Sequence, residues 1–385
     1  MADLDSNYIE GLSDYRWKEA EIPIYVDRDI DVKDWIAISA EPATDKPRAW
    51  KITDSGIVEW SLAAKGKFFS QEVYIVLNRT SLKTSTSCDI HCWIGKQASS
   101  ELYKKALYNA TAFGEAMEGR ALVHREVQDF ESKRFINYFQ YFTVLKGESD
   151  QMANCDLRSE YKTRLLRLTG PNAAGKICVR ETATKRGALD SNDVFIIDSG
   201  LKIYQWNGMF NKDRKKAEKA TEYAKQLQAE RGTSGFTVVI VDESEKTKNH
   251  ALYDLFPYQA KKRKPSRQES IALTVGQLQK KKMMFTVSLT PRLEFKKVAE
   301  GADLCSRRMK SEEVTLVDVR FGKMDAEDHL FVRVGEDWAG DKNSGLMYAH
   351  HYLKQCPDVD QHPTIAVTVV KEGQLSTQLN GAISS

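Results

Sequence analysis

The sequence predicts an α/β protein of the α+β type, with three tandem copies of a small mixed β-sheet flanked by a long helix and a shorter helix. Three observations lead there. An acid-tipped hairpin recurs as SQEVYIVLN…DIHCWIG (70–95), SNDVFIIDSGLKIYQWNG (191–208) and SEEVTLVD…DHLFVRVG (311–335), with its serines 121 and 120 residues apart. A helical pattern follows the hairpin, and a β-branched run follows the helix. A period of this length is the size of one domain, so the natural count is three.

The second copy is the clearest. VFIID and LKIYQW form two strands around a turn at Ser199-Gly200 and close at Asn207-Gly208. In NKDRKKAEKATEYAKQLQAER (211–231), Ala217, Ala220, Ala224 and Leu227 share one helical face, with Lys, Arg and Glu opposite. Gly232 and Gly235 stop the helix, and FTVVIVDE (236–243) reads as a strand buried on both faces. In the first copy, ELYKKALYNATAFGEAM (101–117) puts Leu102, Ala106, Ala110, Phe113 and Met117 on one stripe, and RALVHREV (120–127) supplies the strand. FESKRFINYFQYF (130–142) then offers a second apolar face. The third copy is the most eroded, with a shorter helix around 344–355 and a strand in TIAVTVV (364–370). The resulting plan is an N-terminal extension (1–45), a first domain (46–147), a second (148–257), a basic linker (258–290) and a divergent third domain (291–385). Lysines and arginines at 261–264 and 280–282 make the linker a solvated segment, with nuclear entry or an acidic partner as the rival.

Composition narrows the function classes. Hydrophobic content of 41% with 29% charged residues excludes wholesale disorder. A net charge of +3 is too balanced for bulk attraction to nucleic acid or membrane. No run approaches the roughly 18 apolar residues of a membrane span. The polar start MADLDSNYIEGLSDYRWKEAE is not a secretory signal, which predicts a cytoplasmic protein. The six cysteines are too sparse for a disulfide framework, and Cys88 and Cys92 read as structural thiols.

GRALVHREVQDFESKRFINYF (119–139) closely resembles the first domain of the gelsolin–villin actin-regulating proteins, with AWKI (49–52), KFFSQEVYIVL (67–77) and DIHCWIG (89–95) fitting upstream. VFIIDSGLKIYQWNG resembles the second domain of that family, and SEEVTLVD the third. The leader DSNYIEGLSD (5–14) is similar to that of the three-domain members severin and fragmin, and three domains also suit CapG, which caps without severing. The resemblance implies three gelsolin-like domains and an actin-binding protein of the cytoskeleton that severs filaments and caps barbed ends. The first domain would wedge its long helix into the actin cleft, the second grip the filament side, and the third help complete severing or capping. Linked weak sites gain effective concentration, which gives the repetition a purpose.

With the stripe of 101–117 committed to the core, the outward side carries Tyr108, Thr111, Ala112 and Glu115. Aligned through Gly119, Arg120 and Ala121, Tyr108 and Ala112 occupy positions where the family's helix meets actin. Gly114 stands where relatives carry an acid that shares a calcium ion with actin. The family also holds Ca2+ within each copy, through an acid at the start of the first strand and a glutamate on the long helix. Copy one keeps Glu72 and has Glu101 as a displaced helix acid. Copy two keeps Asp193, but Lys215 falls near the helix position, between Asp213 and Glu218. Copy three keeps Glu312 and Glu313, with Lys342 and Asn343 where an acid is expected. A lysine repels the ion whose ligand it replaces, so calcium control is expected to be weakened, with copy one as the best remaining site. Phosphoinositides are the family's usual second regulator. Arg158, Lys162, Arg164 and Arg167 in RSEYKTRLLRLTG (158–170) resemble the basic lipid- and filament-binding segment, while its leucines read simply as a strand.

The rivals are few. Seven scattered histidines form no catalytic pattern, there is no phosphate-binding glycine loop, and no enzyme is expected. A capping or bundling scaffold that never severs, or a lipid-regulated adaptor, stays open. The chain is read as a monomer.

Overall fold

The computed structural model describes residues 20–24, 33–42, 44, 46–61, 66–81, 86–153, 161–231, 237–244, 247, 250–256, 281–290, 292–320, 328–355 and 365–384. The first stretch holds α1 (Lys33–Ala40), β1 (Arg48–Thr53), β2 (Gly56–Glu59), β3 (Lys67–Phe69), β4 (Val73–Ser81), β5 (Thr86–Ile94) and α2 (Ser100–Ala116). There follow β6 (Ala121–Val127), α3 (Lys133–Ile136), β7 (Tyr141–Leu145), α4 (Ser149–Ala153), β8 (Arg164–Thr169) and β9 (Ile177–Thr182). Next come β10 (Val194–Asp198), β11 (Lys202–Asn207), α5 (Arg214–Glu230) and β12 (Thr237–Asp242). The last stretch adds β13 (Lys281–Ser288), β14 (Glu294–Glu300), β15 (Val314–Arg320), β16 (His329–Val334), α6 (Gly345–Gln355), β17 (Ala366–Lys371) and α7 (Thr377–Ser384).

One unit recurs three times. An antiparallel hairpin (β4–β5, β10–β11, β15–β16) is followed by a helix (α2, α5, α6) that returns the chain to a strand parallel to the hairpin's second arm (β6, β12, β17). A parallel partner needs such a crossover, so the sequence order of hairpin, helix and strand dictates the topology. The close of the hairpin repeats in detail. A Cβ on Gly208 would meet the Ser191 carbonyl oxygen at 2.2 Å, and one on Gly335 that of Ser311 at 2.0 Å. Only glycine fits there, which is why the Asn207-Gly208 signal falls where it does.

The chain forms two compact units, Met1–Ala64 with Gln71–Tyr138 and Ser270–Ser385, and Lys65–Ser70 with Phe139–Glu269. In the first unit, ten strands run β14-β13-β15-β16-β17-β6-β5-β4-β1-β2. Its seam is the antiparallel pair β17–β6, which sets Val367 opposite Arg125, Thr368 opposite His124 and Val369 opposite Val123. One core carries Ala106, Ala110, Phe113 and Met117 of α2 together with Leu346, Met347 and Tyr352 of α6. A second core sets Met284, Phe331 and Val370 against Leu379 of α7. In the second unit, seven strands run β12-β11-β10-β8-β9-β7-β3, with Leu165, Phe195, Ile197 and Trp206 in one core.

Several expectations change. Strands β3 and β7, which the sequence reading places in the first domain, belong to the sheet of the second unit. The apolar stretch 130–142 holds a four-residue helix, α3, and runs into β7, a strand buried along its whole length. Residues 281–288, at the end of the basic linker, are strand β13, which buries Met283, Met284 and Val287; the cluster 261–264 lies outside the described residues. Strand β12 is not buried on both faces. It is the edge of its sheet, Ile240 is 53% exposed, and Val241 is its one buried side chain. Cys88 and Cys92 are buried free thiols, in line with the reading of them as structural, and burial pushes Cys92 up to about 12.

Candidate functional site

Helix α2 starts on Ser99, whose hydroxyl accepts the Leu102 N–H, and it runs to Met117 against the sheet. Its inward stripe is as the periodicity requires, with Ala106, Ala110, Phe113 and Met117 buried and Leu102 partly buried against the same core. The outward side is not. Tyr108 (4% exposed), Thr111 (6%) and Ala112 (5%) are buried, and only Glu115 of the four is exposed. The correction has a physical cause, since other segments of the same unit pack on both flanks of the helix. On one flank lies α1. Its Trp35 ring stacks on Phe113 at 4.5 Å and stands edge-on to Trp50 at 5.5 Å, while Nε1 donates to Asn109 at 2.9 Å. On the other flank lies α6. His350 Nδ1 meets the Tyr103 hydroxyl at 3.1 Å, and Leu346 and Asn343 line a crevice with Thr111 and Gly114.

Between α1 and the C-terminal half of α2, a groove of about 960 Å³ remains open, lined by Ile36, Ser39 and Ala40 on one side and by Ala112, Glu115 and Ala116 on the other. Gly114, read as a lost ligand, also has a packing role: a Cβ there would come within 2.7 Å of Val123 on β6. Gly119 has a left-handed φ of 76° and turns the chain from α2 into β6. Gly119 and Arg120 are exposed and Ala121 is buried, and the Gln374 amide donates to the carbonyls of Gly119 (2.7 Å) and Ala121 (2.9 Å).

The acids proposed for calcium head their strands, and among the described residues none of them belongs to a group of three or more potential metal ligands. Glu72 is buried, with Lys51 Nζ at 3.4 Å and the Tyr74 hydroxyl donating to it, whereas Glu101 is exposed on the first turn of α2. Asp193 is held by Arg167 and by Lys216, not the expected Lys215; Asp213 caps α5, and Glu218 pairs with Arg214. Glu313 pairs with Lys310 at 3.3 Å, and Asn343 accepts from Lys371 at 2.6 Å. A divalent ion wants six to eight oxygens free of cations. The Asp193 site does not meet that demand.

The basic segment also resolves differently. Arg158 lies outside the described residues, and Lys162 is exposed. Arg164 and Arg167 are both on β8, and their odd spacing sends them to opposite faces of the sheet. Arg164 pairs with Glu181 at 3.4 Å and Arg167 with Asp193 at 2.6 Å, so they do not converge on one phosphate.

Sequence reasoning missed a buried polar chain at the β6–β17 seam. Thr368 on β17 accepts from His329 at 2.7 Å and donates to His124 Nδ1 at 2.9 Å, and His124 Nε2 donates to Asp89 at 2.9 Å. His91 stacks on His124 at 4.3 Å, meets the Tyr138 hydroxyl through Nε2 and reaches Glu126 through Nδ1. Burial pushes His91 down to about 3 and His124 to about 4, and it pushes Glu126 up to about 7. Burial also raises Asp89, but the hydrogen bond from His124 and the charges of His124, His91 and Arg134 overcome it and hold the carboxyl below the usual range. Asp89, His91 and His124 bring their ligand atoms within 4.8 Å of one another, yet both nitrogens of each ring already meet a hydrogen-bond partner. They serve as a hydrogen-bonded brace rather than a metal centre. DIHCWIG and ALVHREV contain these residues at strand spacing, but nothing local pairs them.

A family model described as the gelsolin repeat matches residues 57–136 and 181–249, within the first and second copies. Gelsolin-like protein 1 of Lumbricus terrestris is 30% identical over 387 residues, spanning 97% of this chain and 98% of that protein. Gelsolin-like protein 2 of the same organism is 28% identical over 382 residues (96% and 98%), and severin of Echinococcus granulosus is 25% identical over 390 (96% and 97%). With its hairpin–helix–strand unit stated three times and a relative alike along nearly the whole of both chains, this protein belongs to the gelsolin family.

Proposed function

We propose that this chain is an actin-binding protein that severs filaments and caps their barbed ends. The observation that carries the reading is the repeated unit, in a chain that matches gelsolin-like proteins and a severin over nearly its whole length. Helix α2 of the first repeat is the wedge for actin's cleft, through the stretch Tyr108–Glu115 and the turn Gly119–Ala121. The second repeat grips the filament side through the surface around Lys162. Because Tyr108, Thr111 and Ala112 are buried within the first unit, the described conformation is a closed one, and wedging requires the segments packed beside α2 to move. No helix among the described residues is long and apolar enough to cross a membrane, and the reading is of a cytoplasmic binding protein with no catalytic step. Calcium control is weakened, with Glu72 heading the best remaining site. Phosphoinositide binding rests on Arg158 and Lys162, since Arg164 and Arg167 are engaged within the protein.

The test is filament microscopy with the full chain, in calcium and in chelator, scoring cuts and barbed-end growth separately. Cuts together with stalled ends are expected, and cuts persisting in chelator support weakened calcium control. Stalled ends without cuts would replace severing by capping. No co-sedimentation and no effect on polymerisation under any ionic condition would remove the reading. Glu115→Lys reverses a charge on the exposed part of α2, so it should leave thermal stability unchanged and weaken monomer binding about tenfold or more, as charge reversals at interfaces do.

A further inference from the structure

The head of the inner strand is bonded alike in all three repeats. The carbonyl of Glu72 accepts the Gly95 N–H at 3.0 Å, that of Asp193 the Gly208 N–H at 2.9 Å, and that of Glu313 the Gly335 N–H at 3.0 Å. Each acid directly precedes β4, β10 or β15, so the three occupy equivalent places. Their side chains meet different company. Glu313 has Lys310 at 3.3 Å on a partly exposed surface, and Glu72 has Lys51 at 3.4 Å. Asp193 has cations on both oxygens. Lys216 Nζ is 2.9 Å from Oδ1, while Arg167 approaches Oδ2 with Nε at 2.7 Å and its terminal nitrogen at 2.6 Å. The Lys216 and Asp193 side chains are only 13% and 10% exposed.

We infer that Lys216 is a tethered cation, built into the second repeat in the place a divalent ion would otherwise take, and that it joins the head of β10 to the first turn of α5. A desolvated carboxylate needs a counter-charge, and this one is satisfied twice from within the chain. The neighbouring acids are committed elsewhere. Glu243 accepts from the Ser191 hydroxyl and the Met209 N–H, and Asp190 accepts both the backbone and side-chain N–H of Asn192. A calcium ion here would meet two positive groups and few free oxygens. The position of Lys216 supports the same conclusion. It lies in the first turn of α5, which has no acid of its own apart from the capping Asp213. A cation there opposes the helix dipole, and its bond to Asp193 offsets that cost.

This deepens the calcium reading of the second repeat, and its test uses no actin, so failure of the actin reading leaves it intact. Hydrogen exchange of the full chain is followed over residues 214–230, in chelator and in millimolar calcium. The natural chain should exchange equally in both. Lys216→Met should speed exchange about tenfold, the loss of one partly buried charge-assisted bond. In an Asp193→Asn background the same change should alter exchange less than about twofold, because the partner is already gone. Lys216→Glu should exchange fast in chelator and slow down when calcium is added. Calcium slowing exchange in the natural chain, no effect of Lys216→Met, an undiminished effect in the Asp193→Asn background, or no calcium response in Lys216→Glu would each overturn the inference.

Discussion

Trp35→Ala is expected to free α1 from α2. Trp35 is 1% exposed, stacks on Phe113 at 4.5 Å, meets Trp50 edge-on and donates to Asn109. Truncating a buried tryptophan costs about 3–5 kcal/mol. Helix α1 has eight residues, and Trp35 and Ile38 are its only large buried side chains. A helix this short does not hold by itself in water, so losing the anchor undocks the whole segment. Hydrogen exchange over residues 33–40 should rise to nearly that of an unstructured peptide, while Ile36→Ala, at a 54% exposed position on the same helix, should change it little. Under the proposed function the same variant uncovers Asn109, Ala112 and Phe113 and strengthens binding of monomeric actin. Unchanged exchange would refute the packing account. Raised exchange with weakened actin binding would make α1 part of the actin surface rather than its cover.

Acid should melt the first unit selectively. Burial, the largest influence on each, pushes His91, His329 and His350 down to about 3 and His124 to about 4. Nearby cationic groups add to it: Arg134 at His91 and His329, and Arg125, His351 and Lys354 at His350. In the unfolded chain these rings titrate near 6.5. Above that pH both states are neutral and nothing is lost. Below it the unfolded chain takes up protons that the folded unit refuses, so stability falls with pH toward about 4. Glu126 works the other way: burial pushes it up to about 7, so the folded unit binds one proton more than the unfolded chain between roughly 4.5 and 7. Four histidines outweigh one carboxyl, and the net loss from pH 7 to 5 should be on the order of 5 kcal/mol, at about 1.4 kcal/mol per proton per pH unit. Calorimetry should show the melting transition of the first unit moving down and that of the second staying near its place. His350→Gln should remove about one proton from the slope. A pH-independent first transition would mean that these rings are solvated.

Some of this was readable in advance. Ala106, Ala110, Phe113 and Met117 are visible as a stripe because a helix repeats every 3.6 residues, and they are buried where the stripe predicts. The three-fold hairpin shows because Ser191 and Ser311 must face glycines across a contact too tight for a side chain. The fate of α2's other side was not readable. Tyr108 and Ala112 look outward in a single-helix reading, and the helices that flank α2, residues 33–40 and 345–355, lie far away along the chain. Likewise FTVVIVDE has the composition of a central strand but lies at an edge, because nothing in eight residues says whether a neighbour will pair with the second side.

Local periodicity and turn chemistry therefore specify the repeated unit and the family, since both act between residues close in sequence. The tertiary structure alone brought Thr368 to His124, Trp35 to Phe113 and Lys216 to Asp193. The last of these shows why. Whether a carboxylate faces an ion or an ammonium depends on which side chain of a helix further along the chain turns toward it, and here the side chain that does so is Lys216 rather than Lys215.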